Sequence, residues 1–143
     1  MSAAEALFLD TNVLVYAHDR NEPVKGPQAK ALLIQLLAAG RPLVSVQVLS
    51  EFYWAVTRKL RPPLTHDEAV AEINRFNMLA SVVPMTWDLL AKALQKCASH
   101  GLPLWDAQVL AAASLNGAAC VLSEDFQDGR TIDGVLEPFL DVI

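Results

Sequence analysis

Cysteine, glycine and uninterrupted apolar runs are scarce in this chain of 143 residues. The two cysteines, Cys97 and Cys120, are too few for a disulfide scaffold and lack the spacing of a zinc site. Residues 31–50 carry only one charge, but Gly40-Arg41-Pro42 interrupts them, which excludes a membrane-spanning helix. Residues 1–9 lack the basic start and long apolar segment of a signal peptide. We therefore expect a cytoplasmic protein with free thiols.

Positive charge is also scarce, because 11 Lys and Arg face 16 Asp and Glu, for a formal net charge of -5 and a pI near 5.0. This balance argues against the broad basic face by which most nucleic-acid binders hold phosphates. No lysine follows Lys96, and Arg130 is the only arginine after it. Acidic residues late in the chain therefore have few cations near them in sequence.

The chain has enough apolar residues to form the core of one domain, which we place over residues 1–143. Hydrophobic residues make up 53% of the chain, which excludes a disordered protein. Short apolar runs alternate with helical patterns, and this alternation predicts an α/β fold of three layers with a central, mostly parallel sheet. The predicted strands cover 6–9, 42–46, 82–85, 119–122 and 139–142, and the predicted helices cover 27–39, 47–60, 65–80, 86–100 and 104–115.

Three details of this pattern are specific enough to test. Ala31, Ile34 and Leu37 recur at helical spacing in the first predicted helix, which should end at Gly40, a residue able to take the left-handed conformation. Thr65, followed by Glu68, has the spacing of a capping box. Pro84 places the third strand at an edge of the sheet or ends it.

Four acidic residues fall where a site is expected, because ligands of such sheets bind at the carboxyl ends of the strands. Asp10 and Asp125 follow predicted strands, whereas Glu51 and Asp106 lie on otherwise apolar helix faces. Together they would repel one another unless cations compensated them. Carboxylate oxygens suit Mg²⁺ or Mn²⁺, and such a site serves metal-assisted hydrolysis of phosphodiesters.

Other interpretations exist for each acid and for the whole set. Taken singly, Asp10 and Asp125 fit turn or cap residues, Glu51 a solvated flank, and Asp106 a first-turn acid favoured by the helix dipole. An aspartyl-phosphate phosphatase or receiver domain also has an aspartate after its first strand. The phosphatases need a second acid where this chain has Asn12, and both classes need a late lysine that it lacks.

Four segments resemble, in order, the motifs of PIN-domain nucleases, and most closely those of the VapC toxins of type II toxin–antitoxin systems. The resemblance extends from Leu7 to the last predicted strand. Its segments are Asp10-Thr11-Asn12-Val13-Leu14-Val15-Tyr16-Ala17, Ser45-Val46-Gln47-Val48-Leu49-Ser50-Glu51-Phe52-Tyr53, Trp105-Asp106-Ala107 and Leu122-Ser123-Glu124-Asp125-Phe126.

The resemblance implies a PIN-like α/β/α sandwich and an endoribonuclease that depends on Mg²⁺ or Mn²⁺. It also implies a cognate antitoxin and a homodimer. A PIN scaffold without activity that only binds partners is the alternative. The family's acidic ligands carry over to Asp10, Glu51, Asp106 and Asp125, with Glu124 or Asp128 as substitutes for Asp125, and Thr11, Asn12 and Ser123 are expected to contact ligands rather than the metal.

Several other residues are candidate contacts for RNA. Trp105 precedes a proposed ligand and suits base stacking, although such a tryptophan is more often an anchor in the core or in a dimer interface. The basic cluster Arg58, Lys59 and Arg61 suits the RNA backbone or a solvated helix end, and His18-Asp19-Arg20 lies near the first acid in sequence.

Overall fold

The computed structural model of the protein describes residues 7–123, 130–132 and 135–137. The helices are α1 (Thr11–Ala17), α2 (Lys25–Ala39), α3 (Val46–Arg58), α4 (His66–Leu79), α5 (Trp87–His100) and α6 (Leu104–Leu115). The strands are β1 (Leu7–Leu9), β2 (Leu43–Ser45), β3 (Ser81–Val83), β4 (Cys120–Leu122), β5 (Arg130–Ile132) and β6 (Val135–Glu137).

The described strands form one sheet in the order β3-β2-β1-β4-β6-β5. All neighbouring pairs are parallel except β5 and β6, which confirms the predicted, mostly parallel sheet. The edge position of β3 agrees with the proline that follows it. The chain adds β2 and β3 on one side of β1 and then places β4 on the other side. The order in which the chain adds strands therefore changes direction between β1 and β4. This is the position where α/β folds bind their ligands.

The helices pack in two groups that cover the sheet. Helix α1 contacts α2 and α3, and α3 contacts α4, whereas α5 packs on α6. Right-handed crossovers that run in opposite directions along the sheet put these two groups on opposite faces. Phe8, Leu9, Val44 and Val121 of the central strands are completely or almost completely buried between them. This arrangement confirms the α/β/α sandwich.

Three details of the first half of the chain differ from the predictions. The pattern did not predict α1, because its seven residues are fewer than the periodicity of a helix needs. In α2 the buried face contains Ala29 and Leu33, whereas Ile34 is 60% exposed. Apolar residues surround most of α2, so spacing alone did not determine its buried face. Gly40 has a φ of -174° and is extended, since the chain passes directly from α2 into β2.

Other boundaries agree more closely with the sequence. Gly101 ends α5 with a φ of +65°, a left-handed conformation that glycine adopts without steric cost. The capping box of Thr65 and Glu68 is present at the start of α4. Strands β5 and β6 were not predicted, because each of these short segments contains a charged residue, Arg130 and Glu137 respectively. The strand predicted at 139–142 lies outside the described residues. No helix in the described part of the chain has both the length and the apolar character needed to cross a bilayer.

Candidate active site

Asp10 lies at the carboxyl end of β1, at the change of direction between β1 and β4. Its extended backbone makes it the N-cap of α1, and its carboxylate Oδ1 accepts a hydrogen bond of 2.7 Å from the backbone N–H of Thr11. Its own N–H donates to the carbonyl oxygen of Leu122 in β4 at 3.1 Å. The side chain is buried, with 3% exposure. Strand pairing and helix capping therefore fix the position of this carboxylate.

Ser123 holds the second oxygen of the same carboxylate. It follows β4 and is completely buried, and its hydroxyl donates to Oδ2 of Asp10 at 2.6 Å. The side-chain amide of Asn12 donates in turn to Oγ of Ser123 at 3.3 Å. These contacts agree with the expectation that Asn12 and Ser123 support the first acid. Hydrogen bonds to the two oxygens leave the carboxylate of Asp10 little freedom to rotate.

Thr11 brings a second predicted acid to this point. Glu51 lies in the second turn of α3, which begins directly after β2, and its Oε2 accepts a hydrogen bond of 2.8 Å from the hydroxyl of Thr11. The backbone N–H of Thr11 already donates to Asp10. One residue therefore orients two carboxylates that are 41 positions apart in the sequence.

Gln47 has a role that we did not predict. Its Nε2 donates to Oε1 of Glu51 at 3.1 Å and to the backbone carbonyl of Trp105 at 3.3 Å. These bonds tie the start of α3 to the start of α6, on the other face of the sheet. The spacing of Gln47 and Glu51 is the signal that could have revealed the first contact, because side chains four positions apart meet on a helix.

Asp106 is half-buried in the first turn of α6, next to Trp105. The positive end of the helix dipole favours a carboxylate at this position. The contact between Gln47 and Trp105 brings this turn to the helix that carries Glu51. Asp125 and its two substitutes, Glu124 and Asp128, lie outside the described residues.

The donor set of the described acids suits a hard divalent cation. Within residues 7–123, 130–132 and 135–137, no group of three or more His, Cys, Asp and Glu side chains is arranged to hold a metal ion. The two acids at Thr11, however, offer carboxylate oxygens alone, the ligands that Mg²⁺ and Mn²⁺ prefer. The donors that contact Glu51 within the described part of the chain, a hydroxyl and an amide, are uncharged and do not neutralise its carboxylate. The carboxylates of Asp10 and Glu51 therefore suit such an ion, both by their chemistry and because hydrogen bonds already hold them in position.

Cys120 in β4 and His18 after α1 do not extend the donor set. Burial raises the pKa of the Cys120 thiol to about 11, so it remains protonated at neutral pH and is a poor metal ligand or nucleophile. His18 follows the far end of α1, where its Nδ1 donates to the carbonyl of Leu14 at 2.8 Å. Its ring packs edge-on against Phe52 and Phe76. These contacts give His18 a structural role.

A comparison with protein-family models matches residues 7–128 to the PIN domain. This match covers most of the chain. The chain belongs to the PIN domain family. The four acids predicted as metal ligands, Asp10, Glu51, Asp106 and Asp125, all lie within the matched residues. No curated protein sequence matches it significantly.

Solved structures with similar folds agree with this assignment. The toxin VapC20 of Mycobacterium tuberculosis, described as cleaving the sarcin–ricin loop, is 23% identical, covers 81% of this chain and 87% of its own, and has a TM-score of 0.65. A toxin–antitoxin complex from Klebsiella pneumoniae is 20% identical, with coverage of 94% and 98% and a TM-score of 0.68. FitAcB from Neisseria gonorrhoeae is 18% identical, with coverage of 96% and 99% and a TM-score of 0.62. At these identities the similarity establishes the fold.

Proposed function

We propose that this PIN domain is an endoribonuclease that depends on Mg²⁺ or Mn²⁺ and acts as the toxin of a toxin–antitoxin pair. The observation that carries the proposal is the pair of carboxylates, Asp10 and Glu51, that Thr11 orients at the change of direction in the sheet. Asp106 and Asp125 complete the proposed set of ligands. The similar structures include a toxin described as cleaving the sarcin–ricin loop and a toxin–antitoxin complex, which supports the choice of substrate and partner.

Each proposed residue has a defined task. Asp10 and Asp106 are the principal ligands, and Glu51 and Asp125 bind the ion directly or through water. Thr11, Asn12 and Ser123 hold the carboxylates in position before the ion and RNA arrive. When bound, the divalent ion supplies Lewis-acid chemistry and neutralises charge at the attacked phosphate. Such a pre-ordered site loses less entropy when the substrate binds.

Metal removal gives the first test. The purified protein is incubated with total RNA in Mg²⁺, in Mn²⁺ and in EDTA, and the cleaved ends are mapped by sequencing. We expect discrete cuts in either metal and none in EDTA. A protein that leaves RNA intact in every buffer would instead be a scaffold without activity, the alternative that the sequence left open.

The Asp10→Asn variant tests the site assignment. Loss of a principal ligand should lower the rate of cleavage by more than about a hundredfold, since even residues that only support a metal ligand commonly contribute 10–100-fold. Asparagine caps helices as well as aspartate does, so the variant should melt no lower than the parent in EDTA. Unchanged cleavage by the folded variant would refute the role of Asp10.

Expression in growing cells separates a toxin from an ordinary nuclease. We expect the parent to arrest growth, the Asp10→Asn variant to be tolerated, and a cognate antitoxin to relieve the arrest.

The proposed homodimer is supported by two exposed apolar side chains on the same side of α5, Trp87 and Leu94, which are 74% and 49% exposed. Light scattering of the pure protein measures its mass directly.

A further inference from the structure

An open cavity of about 400 Å³ lies beside the proposed site, between α3 and the first turn of α6. Its wall is largely apolar and includes Glu51 and the indoles of Trp54 and Trp105. Trp54 is 49% exposed and Trp105 is 61% exposed, so neither is a core residue. Exposed indoles are costly to leave in water, and their position next to a carboxylate of the site indicates that they serve a ligand.

Gln47 gives the cavity a polar feature. The residue lines the cavity, is 6% exposed, and donates from Nε2 to two acceptors, the carboxylate of Glu51 and the carbonyl of Trp105. Because both partners can only accept, the amide nitrogen must face them, and Oε1 must face the other way. Among the described residues, Oε1 is buried and has no hydrogen-bond donor. A ligand that donates a hydrogen bond would satisfy it.

The same face of α3 ends in positive charge. Gln47, Glu51, Trp54 and Arg58 follow one another at spacings of four, three and four residues, which places them along one side of the helix. The ammonium of Lys59 lies 4.9 Å from the ring centre of Trp54, and the guanidinium of Arg58 lies 5.9 Å from it. A hydrogen-bond acceptor, an aromatic surface and cations therefore succeed one another away from the carboxylates.

We infer that this cavity binds one unpaired nucleobase of single-stranded RNA beside the scissile phosphate, an inference that rests on the proposed nuclease function. The base stacks on the indole of Trp105, because two cations already lie against the indole of Trp54. An N–H group on the edge of the base donates to Oε1 of Gln47. The neighbouring phosphate meets Arg58 and Lys59. Aromatic stacking accepts any base face, and every nucleobase edge carries an N–H donor. The cavity thus positions RNA through one nucleotide, although the protein as a whole is acidic.

Binding of short RNA in EDTA tests the inference without requiring cleavage. The probes are a labelled single-stranded pentanucleotide and the same molecule with its central base removed. We expect the parent to bind the complete probe about tenfold more tightly than the abasic probe, the usual order for one stacked base. The Trp105→Ala variant should lose this difference, and Trp105→Phe should retain most of it. Trp87→Ala removes an exposed indole that does not line the cavity, and this variant should bind both probes as the parent does.

The hydrogen bond to Gln47 has a separate test. Replacement of adenine by purine in the probe removes the exocyclic amino group and keeps the ring face. For a probe with central adenine, we expect purine to weaken binding to the parent severalfold and to leave binding to Gln47→Leu unchanged. Equal binding of both probes by the parent would overturn the hydrogen-bonding part of the inference.

Three results distinguish this inference from the function on which it rests. Equal binding of complete and abasic probes by a protein that cleaves RNA would overturn the base site and leave the nuclease intact. Base-dependent binding without cleavage in any metal would refute the nuclease and preserve the base site. A change from dimer to monomer in Trp105→Ala, with its probe binding unchanged, would assign the cavity to a second copy of the chain and overturn the inference.

Discussion

Helix α1 has seven residues, and its two ends have different surroundings. At the first end, Asp10 and Thr11 direct their polar groups toward Ser123 and Glu51, and the contacts are hydrogen bonds to carboxylates. At the last end, His18 packs against the rings of Phe52 and Phe76. One short helix therefore joins a polar edge, where orientation matters, to an aromatic cluster, where burial matters. Substitutions at the first end should change activity, and substitutions at the last end should change stability.

The largest effect should come from the aromatic cluster. Phe52 is completely buried and its ring centre lies 5.6 Å from that of Phe76. The Phe52→Ala variant should lower the free energy of unfolding by about 3–5 kcal/mol, measured by urea denaturation, because it leaves a cavity among these rings. Phe52→Leu is the control and should cost less, since it fills most of the space. A Phe52→Ala variant that keeps its stability but loses cleavage would contradict the contrast between the two ends of α1.

Thr11→Val is the matching change at the polar end. Valine keeps the shape of threonine and removes the hydroxyl that orients Glu51. We expect cleavage to slow by about 10–100-fold, the usual effect of removing a group that supports a metal ligand. The melting temperature should change little, and Thr11→Ser should restore activity. A Val variant that cleaves at the parental rate would show that Glu51 does not need this contact.

A smaller effect is expected at α4, which contributes Glu72 and Phe76 to the contacts of His18. Thr65→Ala removes the side-chain cap that accepts a hydrogen bond of 3.1 Å from the N–H of Glu68. Loss of such a cap costs about 1 kcal/mol of unfolding free energy. Thr65→Ser should keep it. Cleavage should be unaffected, so a loss of activity would contradict the division between the two ends.

The smallest effect should depend on pH. The backbone N–H and hydroxyl of Thr65 hold the pKa of Glu68 below its ordinary value of 4.5, because they stabilise the carboxylate. A depressed pKa contributes stability that is present above pH 4.5 and is lost as the pH falls through the lower, folded-state value. Glu68→Gln should therefore melt slightly below the parent at pH 7, and this difference should shrink as the pH falls below 4.5. A difference that does not change with pH would exclude a contribution from the charge.

The fold was predictable where the sequence repeats a pattern. Five of the helices and strands β1 to β4 were recognised because apolar residues recur along them, and the capping box at Thr65 and Glu68 is a local signal. Helix α1 was missed because it is short, and the buried face of α2 was wrong because apolar residues surround that helix. Local patterns also cannot reveal that Thr11 joins Asp10 to Glu51, since that contact depends on how distant segments fold together.

The candidate site was predictable to a similar degree. Asp10, Asn12, Thr11 and Ser123 were expected at one location, and the described contacts place them there. The metal-binding role of the four acids stays a prediction. Gln47 escaped notice because a glutamine carries no charge and its function depends on Trp105, 58 positions later. The spacing of residues predicts side-chain contacts along one helix, but it does not predict contacts between segments that are distant in the sequence.

The double role of Thr11 has a mechanical consequence. Its backbone N–H fixes one carboxylate, and its side chain, which turns about a single bond, fixes the other. One side-chain torsion angle of Thr11 therefore separates the two contacts, and threonine restricts that angle because it is branched at Cβ. A tilt of α1 should therefore disturb both contacts together, because neither the backbone N–H nor the restricted hydroxyl can move independently of the helix. The two carboxylates thus respond to a movement of α1 as a pair.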